Sequence, residues 1–449
     1  MHERINILVE LLLDKDSFCE CTYCKKEDEF PNSVFIGEGT IEEKKVCIII
    51  QDFTYMGGSI GEIEANKILY IQKHALEINA PIIILCNSGG ARIQEGVKAL
   101  NGMGEILKQC HKIKGNIPQI AIVLGTCAGG VALWATMCDF VFMIYMKSRM
   151  FITGPKVIEN VTGEKISQNE LGGTDIHLTK SGVAHFGYKD EKECIQNVKK
   201  LLEYITGNHS KWALKKMKIF KKQYIQKSEL EKIIPRNQKM IYDMNIFINL
   251  LVDKNSFLEV QKDYATNAII GFAKINNKVI AIIANQPMIL CGSIDIEAAK
   301  KITRFVCECN SYKIPILVLV DTPGFYPSGE QEKKGVLKEG VNMMNAFIMS
   351  NVKKITVILR KAFGGAYIAM NSKSIGADIV YAWPNAKIGT IGNSNEKMFL
   401  DKTNKNNIYG IDKEDSLELA IKRGYITEII RPEETRKKIF ENLLGKRNR

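Results

Sequence analysis

Short apolar, β-branched runs alternate along the chain with stretches whose apolar residues recur every three or four positions, and these two periods divide it into strands and helices. The start, to about Phe30, reads as an amphipathic helix on Ile5, Leu8, Val9 and Leu12, followed by a polar, cysteine-bearing loop. Val34 to Thr40 and Val46 to Asp52 read as strands joined at Glu42–Lys45, and helical periodicity runs from Ile60 to Ile78. Strand Ile82 to Cys86, loop Asn87–Arg92, a helix to Cys110, strand Ile120 to Leu124 and a helix after Gly130 follow. Phe140 to Met146 and Arg149 to Thr153 supply further strands, and Gly172–His177 with Ser181–His185 reads as a glycine-rich loop and turn. Lys192 to about Asp243 is polar and helical, an interdomain connection ending near Pro235. The order then recurs: strands Ala268–Ile275 and Val279–Ala284, helix Ile296–Cys309, strand Ile316–Val320, loop Asp321–Phe325 and a helix near Val336–Ser350. Strands Ile355–Leu359 and Asp378–Ala382 come next, and helices at Leu417–Arg423 and from Pro432 close the chain. Strands alternating with helices at these spacings predict an α/β fold with largely parallel strands.

The recurrence has a period. Gly130 and Gly365 lie 235 residues apart, and Pro81 and Pro315, each opening an apolar run, lie 234 apart. Gly58-Ser59-Ile60 and Gly292-Ser293-Ile294 are also 234 apart, and Asp14–Phe18 is echoed by Asp253–Phe257 at 239. Ordered landmarks at one period imply an internal duplication, with domains predicted at 1–235 and 236–449. In each copy a buried strand runs into a Gly-Gly turn that opens a helix: Ile120–Leu124 into Gly129-Gly130, and Ile355–Leu359 into Gly364-Gly365-Ala366-Tyr367. The first N–H groups of a helix have no intrahelical partner and sit at the positive end of its dipole. Glycine lets a ligand oxygen approach them. One such turn reads equally as tight packing; two at one period predict two oxyanion holes serving two bound groups.

The composition, 45% hydrophobic and 25% charged in 449 residues, is that of an ordinary globular chain. The formal charge of +12 comes largely from Lys199–Lys227 and the tail after Arg436, and reads as solvated helix faces without interleaved aromatics. Nucleic-acid binding is therefore not expected. Most of the twelve cysteines sit in apolar runs, as reduced thiols do in cytoplasm. Cys19, Cys21 and Cys24 cluster, but no second C-x-x-C follows at zinc spacing, and no metal is expected. Gly115 to Cys138 carries no charge, yet Pro118 and its glycines mark it as buried strand plus helix rather than a membrane span. Ile7–Leu13 is too short, and too interrupted by Glu10, for a signal peptide.

The chain resembles the carboxyltransferase subunits of biotin-dependent acyl-CoA carboxylases and their decarboxylase relatives over roughly residues 4 to 390. The stretches that carry the resemblance in the first half are Asp52-Phe53-Thr54 with Gly57-Gly58-Ser59, Ser88-Gly89-Gly90-Ala91-Arg92, Cys127-Ala128-Gly129-Gly130 and Ser181–His185. In the second half they are Thr322-Pro323-Gly324-Phe325, Arg360–Tyr367 and Gly376-Ala377-Asp378 with Tyr381–Pro384. The resemblance implies two crotonase-like domains in tandem, with active sites shared between the first domain of one protomer and the second of its partner. It implies a carboxyl group moved between carboxybiotin and the α-carbon of a short-chain acyl-CoA of the acetyl or propionyl class. Gly129 and Gly130 would face the thioester carbonyl; Gly365 and Ala366, with Gly364 and Tyr367, would face the ureido oxygen of biotin. Ser88, Gly89, Gly90, Ala91 and Arg92 would line the CoA side, and Ile368 would tune acyl length. His177 and His185 read as structural histidines. Biotin would arrive on a separate carrier protein, with a biotin carboxylase as further partner, because no Ala-Met-Lys-Met motif occurs here. The enzyme would be a cytoplasmic homo-oligomer, a dimer or a larger hexamer.

Three departures from the family pattern stand out: Thr126 in place of the usual proline, Trp134 beside the first hole where it would crowd the acyl pocket, and Ile391–Asn395 in place of a Gly-Pro-Glu-Gly-like turn. Two rival readings go with them. One is the same subunit in a membrane-linked malonyl-, methylmalonyl- or glutaconyl-CoA decarboxylase. The other is a degenerate CoA-binding paralogue.

Overall fold

The computed structural model describes residues 3–21, 33–206, 227–390 and 416–443. It forms two compact units, Met1–Glu203 and Tyr204–Arg449. The first is built on β1 (Cys19–Glu20), β2 (Val34–Ile41), β3 (Lys44–Gln51), β4 (Ile82–Ser88), β5 (Gln119–Ala128), β6 (Phe140–Ile144), β7 (Arg149–Phe151) and β8 (Phe186–Tyr188). The second is built on β9 (Leu258–Val260), β10 (Ala268–Ile275), β11 (Lys278–Asn285), β12 (Ile316–Thr322), β13 (Lys354–Phe363), β14 (Ile379–Ala382), β15 (Lys387–Gly389) and β16 (Glu428–Ile429). The sheet orders correspond strand for strand: β1-β2-β3-β4-β5-β6-β8 with β7 on β5, and β9-β10-β11-β12-β13-β14-β16 with β15 on β13. Each begins with an antiparallel hairpin and continues parallel.

The central strands are buried along most of their length, as continuous apolar β-branched runs predict. In the first unit, helices Glu62–Glu77 and Val97–Ile113 lay Ile68, Ile71, Met103 and Ile106 on Ile49, Ile84 and Val123. In the second, helix Met244–Leu251 lays Phe247, Ile248 and Leu251 on Ile282, Leu319 and Val357. The Asp14–Phe18 and Asp253–Phe257 echo is a hairpin brace. The Asp14 carboxylate accepts the Glu42 and Glu43 N–H groups at 3.0 and 2.9 Å; Asp253 accepts those of Asn276 and Asn277 at 3.0 and 2.8 Å. Both turns hold two residues at positive φ, which a two-residue hairpin needs to match strand twist.

Four sequence expectations are revised. The glycine-rich stretch after Gly172 is helical at Thr174–Thr179, because Gly173 is extended and caps its start. β5 and β13 run past Leu124 and Leu359 to Ala128 and Phe363, since β7 and β15 pair with the extensions. The units divide at 203/204 rather than at the expected 235/236, and Leu230 and Ile234 pack in the second core. Trp134 lies in the first core, fully buried, and so does not crowd an acyl pocket. Cys24 and Ile391–Asn395 lie outside the described residues.

Lys301 holds the second unit's 261–268 loop from inside. Its Nζ, on a side chain 2% exposed, donates to the carbonyls of Gln261, Tyr264 and Ala268 at 2.9, 2.7 and 2.7 Å. Lys301→Met leaves those acceptors buried and unpaired, so it should destabilise the second unit by about 3 kcal/mol. Urea unfolding measures this; an unchanged midpoint would show that the loop does not depend on the ammonium.

Candidate active site

The first turn is made at the end of β5. Gly129 sits at φ +59°, ψ −130°, a region open to glycine, and helix Gly130–Met137 starts at the next residue. The Gly129 N–H is committed to Phe151 O at 3.0 Å, and the Leu133 N–H is the first to return to the helix, onto Gly129 O at 3.2 Å. Gly129 thus supplies the conformation. The N–H groups of Gly130, Val131 and Ala132 are the ones the helix leaves without an internal acceptor.

The Ser88–Arg92 loop is brought against this turn: a Cβ on Gly90, itself at φ +108°, would lie 3.0 Å from Ala128 O. The loop is held by its own backbone. Gly89 N–H donates to Gly57 O, Ile60 N–H to Gly90 O and Arg92 N–H to Ile60 O, all at 2.8–2.9 Å, and the buried Ser88 Oγ accepts the Gly90 N–H at 3.1 Å. The Arg92 guanidinium is spent on Glu64 at 2.5 Å and Glu95 at 2.8 Å, with Ser59 O at 3.0 Å. It braces the loop rather than facing a ligand. His177 bonds Met150 O and Ser181 Oγ, both at 2.8 Å, and burial pushes its pKa down. His185 accepts the Val141 N–H at 3.0 Å. Both histidines are structural.

The second turn repeats the first. β13 ends at Phe363, Gly364 again sits at φ +59°, and helix Gly364–Ala369 follows. Gly365 is exposed, Gly364 and Tyr367 are half-buried and Ala366 is buried, while Ile368 is 41% exposed beside them. Burial pushes the Tyr367 hydroxyl up, so it stays neutral.

Behind the second turn lies a charged cluster that sequence reasoning did not assemble. Asp321, fully buried at the end of β12, receives Arg360 Nε at 2.9 Å, the Tyr242 hydroxyl at 2.9 Å and the Lys361 N–H at 3.1 Å. Arg360 also donates to Met240 O at 2.7 Å and Asn237 O at 3.1 Å, and lies over the Tyr242 ring. Burial, then the Asp321 carboxylate, hold the Tyr242 hydroxyl well above its usual pKa, fixing it as a donor. Burial pushes the Lys361 amine down, and Asp321 opposes that shift. The sequence signal was present in Asp321 and Arg360-Lys361, each beside a glycine motif, but nothing in it pointed to Tyr242. At the matching positions the first unit has Asn87 and Gly125, which line an open cavity of about 500 Å³ with Lys147 and Arg149.

The carboxyl transferase domain family matches residues 3–448. The putative propionyl-CoA carboxylase beta chain of Bacillus subtilis is 40% identical over 96% of this chain and 88% of its own length. The methylmalonyl-CoA decarboxylase subunit alpha of Veillonella parvula is 39% identical over 96% and 87%. Among solved structures, the transcarboxylase 12S hexamer with methylmalonyl-CoA and methylmalonic acid bound superposes with a TM-score of 0.88 at 37% identity, covering 98% of this chain and 88% of that one. The chain belongs to the carboxyl transferase family. In this carboxyl transferase the two Gly-Gly turns are thus reached by matching strands of two matching sheets, and the side chains behind them differ.

The buried pair behind the second turn is a test of that difference. Asp321→Ala strands the Arg360 charge and should cost about 3–5 kcal/mol of stability, whereas Asn87→Ala, which removes no charge, should cost about 1 kcal/mol. Chemical denaturation of both variants checks the ranking, and equal losses would refute it.

Proposed function

We propose that this chain is the carboxyltransferase subunit of a biotin-dependent acyl-CoA carboxylase, moving a carboxyl group between biotin on a separate carrier protein and the α-carbon of a short-chain acyl-CoA of the propionyl class. The fold reading that goes with it is a tandem duplication of one crotonase-like unit. The observation that carries the proposal is the pair of turns: glycine at φ +59° in both units, each followed by N–H groups at a helix start. Two preorganised donor sets suit a reaction in which charge develops on two oxygens at once. The propionyl and methylmalonyl substrates in the relatives' names support the acyl class.

In this reading the Gly130 and Val131 N–H groups hold the thioester oxygen while the α-proton leaves and charge moves onto it. The Gly365 and Ala366 N–H groups hold the ureido oxygen, and the exposed, side-chain-free Gly365 leaves room for it. Biotin supplies the nitrogen that carries and yields the carboxyl group. Ser88–Ala91 forms the backbone wall beside the first turn, with Arg92 as its brace, and Ile368 lines the acyl side. The partners are the biotin carrier protein and a biotin carboxylase. A homo-oligomer is supported by apolar side chains left uncovered in one chain: helix Pro155–Thr162 has no buried residue, and Val157 and Val161 are 52% and 78% exposed. The buried free thiols support a reducing, cytoplasmic setting. No helix among the described residues is long and apolar enough to cross a membrane.

The test is loss of the carboxyl group from methylmalonyl-CoA and malonyl-CoA with free biotin as acceptor. The chain should turn over both, methylmalonyl-CoA the faster. Gly130→Val and Gly365→Val should each lower kcat by about 100-fold or more, and Gly365→Val, whose Cβ would meet nothing closer than 3.6 Å, should keep the unfolding midpoint. A Gly365→Val enzyme of full activity would sink the two-turn mechanism, and a wild-type chain inert with both esters would sink the reading itself.

A further inference from the structure

The two turns carry different side chains at one matched position. Ala91 and Phe325, 234 residues apart, make the same backbone bridge, Ile60 to Ala91 and Ile294 to Phe325. A methyl group stands there in the first unit and a benzyl group in the second. The ring is fixed from two sides. Its Cζ and Cε1 lie 3.0 and 3.2 Å from where a Cβ on Gly340 would be, so helix Val336–Met349 admits it because residue 340 is glycine. Its Cε2 and Cδ2 lie 3.6 and 3.7 Å from where a Cβ on Gly365 would be, so the ring stands beside the turn. The backbone around it is tied by Ile294 N–H to Gly324 O at 3.1 Å and Tyr326 N–H to Ile294 O at 2.8 Å. At the first turn the corresponding contact is Met103, whose Cγ and Sδ lie 2.5 and 3.1 Å from the Cβ position of Gly130, a flexible chain in place of a rigid plate.

We propose that Phe325 is the specificity-determining residue of the second turn: a flat apolar wall that selects a planar ring, the ureido ring of biotin, over a flexible thioester chain. The proposal rests on the reading that the second turn takes biotin. A rigid ring set against a rigid plate gains contact over a whole face and loses few rotors on binding. A pantetheine chain against the same plate must freeze several torsions for the same contact. Ala91 leaves the first turn without such a plate.

The experiment uses the full chain with free biotin as the probe, binding read by equilibrium dialysis and transfer from methylmalonyl-CoA measured in parallel. Phe325→Ala and Phe325→Leu should weaken biotin binding and raise its KM about tenfold, a change of about 1.4 kcal/mol. The KM for methylmalonyl-CoA should not move. Leucine keeps most of the volume between Gly340 and Gly365, so it preserves the fold while removing the flat face. Biotin affinity unchanged in the Ala and Leu variants, or a shift in the CoA-ester KM alone, would each overturn the assignment. A wild-type chain that binds no biotin would overturn it too. If the wild type transfers carboxyl groups and the variants hold biotin normally, only this assignment falls; if the wild type transfers none, the carboxyltransferase reading falls.

Discussion

Both candidate sites depend on one backbone constraint. A parallel strand must give way to a helix within a single residue, with the N–H groups at the helix start turned toward open space rather than into the sheet. At Gly129 this is met with φ +59° and ψ −130°, a combination from which a Cβ is excluded. Gly364 repeats the positive φ at the same place in the second sheet. The surrounding structure keeps the junction from relaxing. β7 extends the ladder to the last residue of β5, and Phe151 O takes the Gly129 N–H, so the glycine cannot rotate without losing a buried bond.

The two units brace that junction with different chemistry. In the first, neutral groups and backbone bonds pin the Ser88–Arg92 loop, and the Arg92 guanidinium is paired with two glutamates at its edge. In the second, a fully buried carboxylate gathers a guanidinium, a phenol and a backbone N–H, and through Arg360 ties the 237–240 carbonyls to the strand that carries the turn. Such a cluster adds little net stability, because desolvation offsets most of its attraction, but breaking it is costly. Its effect is therefore geometric: the end of β13 is locked from behind while its front remains exposed.

How much of this the sequence announced depends on the range of the interaction concerned. Strand and helix periods placed the central strands and the long helices, because burial on one or both faces is written locally in residue order, but not short elements such as helix Pro155–Thr162 or strands Phe186–Tyr188 and Leu258–Val260. The Gly-Gly turns were legible once the period near 235 was seen. The strand extensions at 125–128 and 360–363 were not, since Gly125, Arg360 and Lys361 are poor strand signals, and their pairing with β7 and β15 is set by residues some 25 positions away. Arg92 was read as lining the CoA side, and Glu64, 28 residues away in sequence, takes its guanidinium in a direct ion pair. Tyr242 reaches Asp321 across 79 residues, which no local pattern records. Trp134, read as a crowding residue because of its place beside a glycine, faces inward, since helix Gly130–Met137 turns Leu133 outward and Trp134 into the core.

In the proposed reading the duplicated site acts through backbone amides, which gives it a particular freedom. Its donors belong to main chain, so substitution around them leaves them in place as long as the glycine conformation survives. The side chains behind and beside them can then differ without loss of the hole itself. This pair of units has that character: the same φ at Gly129 and Gly364, the same bridge at Ala91 and Phe325, the same strand order, but Gly125 against Arg360 and Asn87 against Asp321. What the two turns can stabilise is fixed by backbone and is common to both. What each one admits is set by the side chains, and there Met103 beside Gly130 and the Phe325 ring beside Gly365 differ. Two like holes with unlike walls are what a reaction between two different carbonyl compounds requires, since each compound must be kept from the other's place.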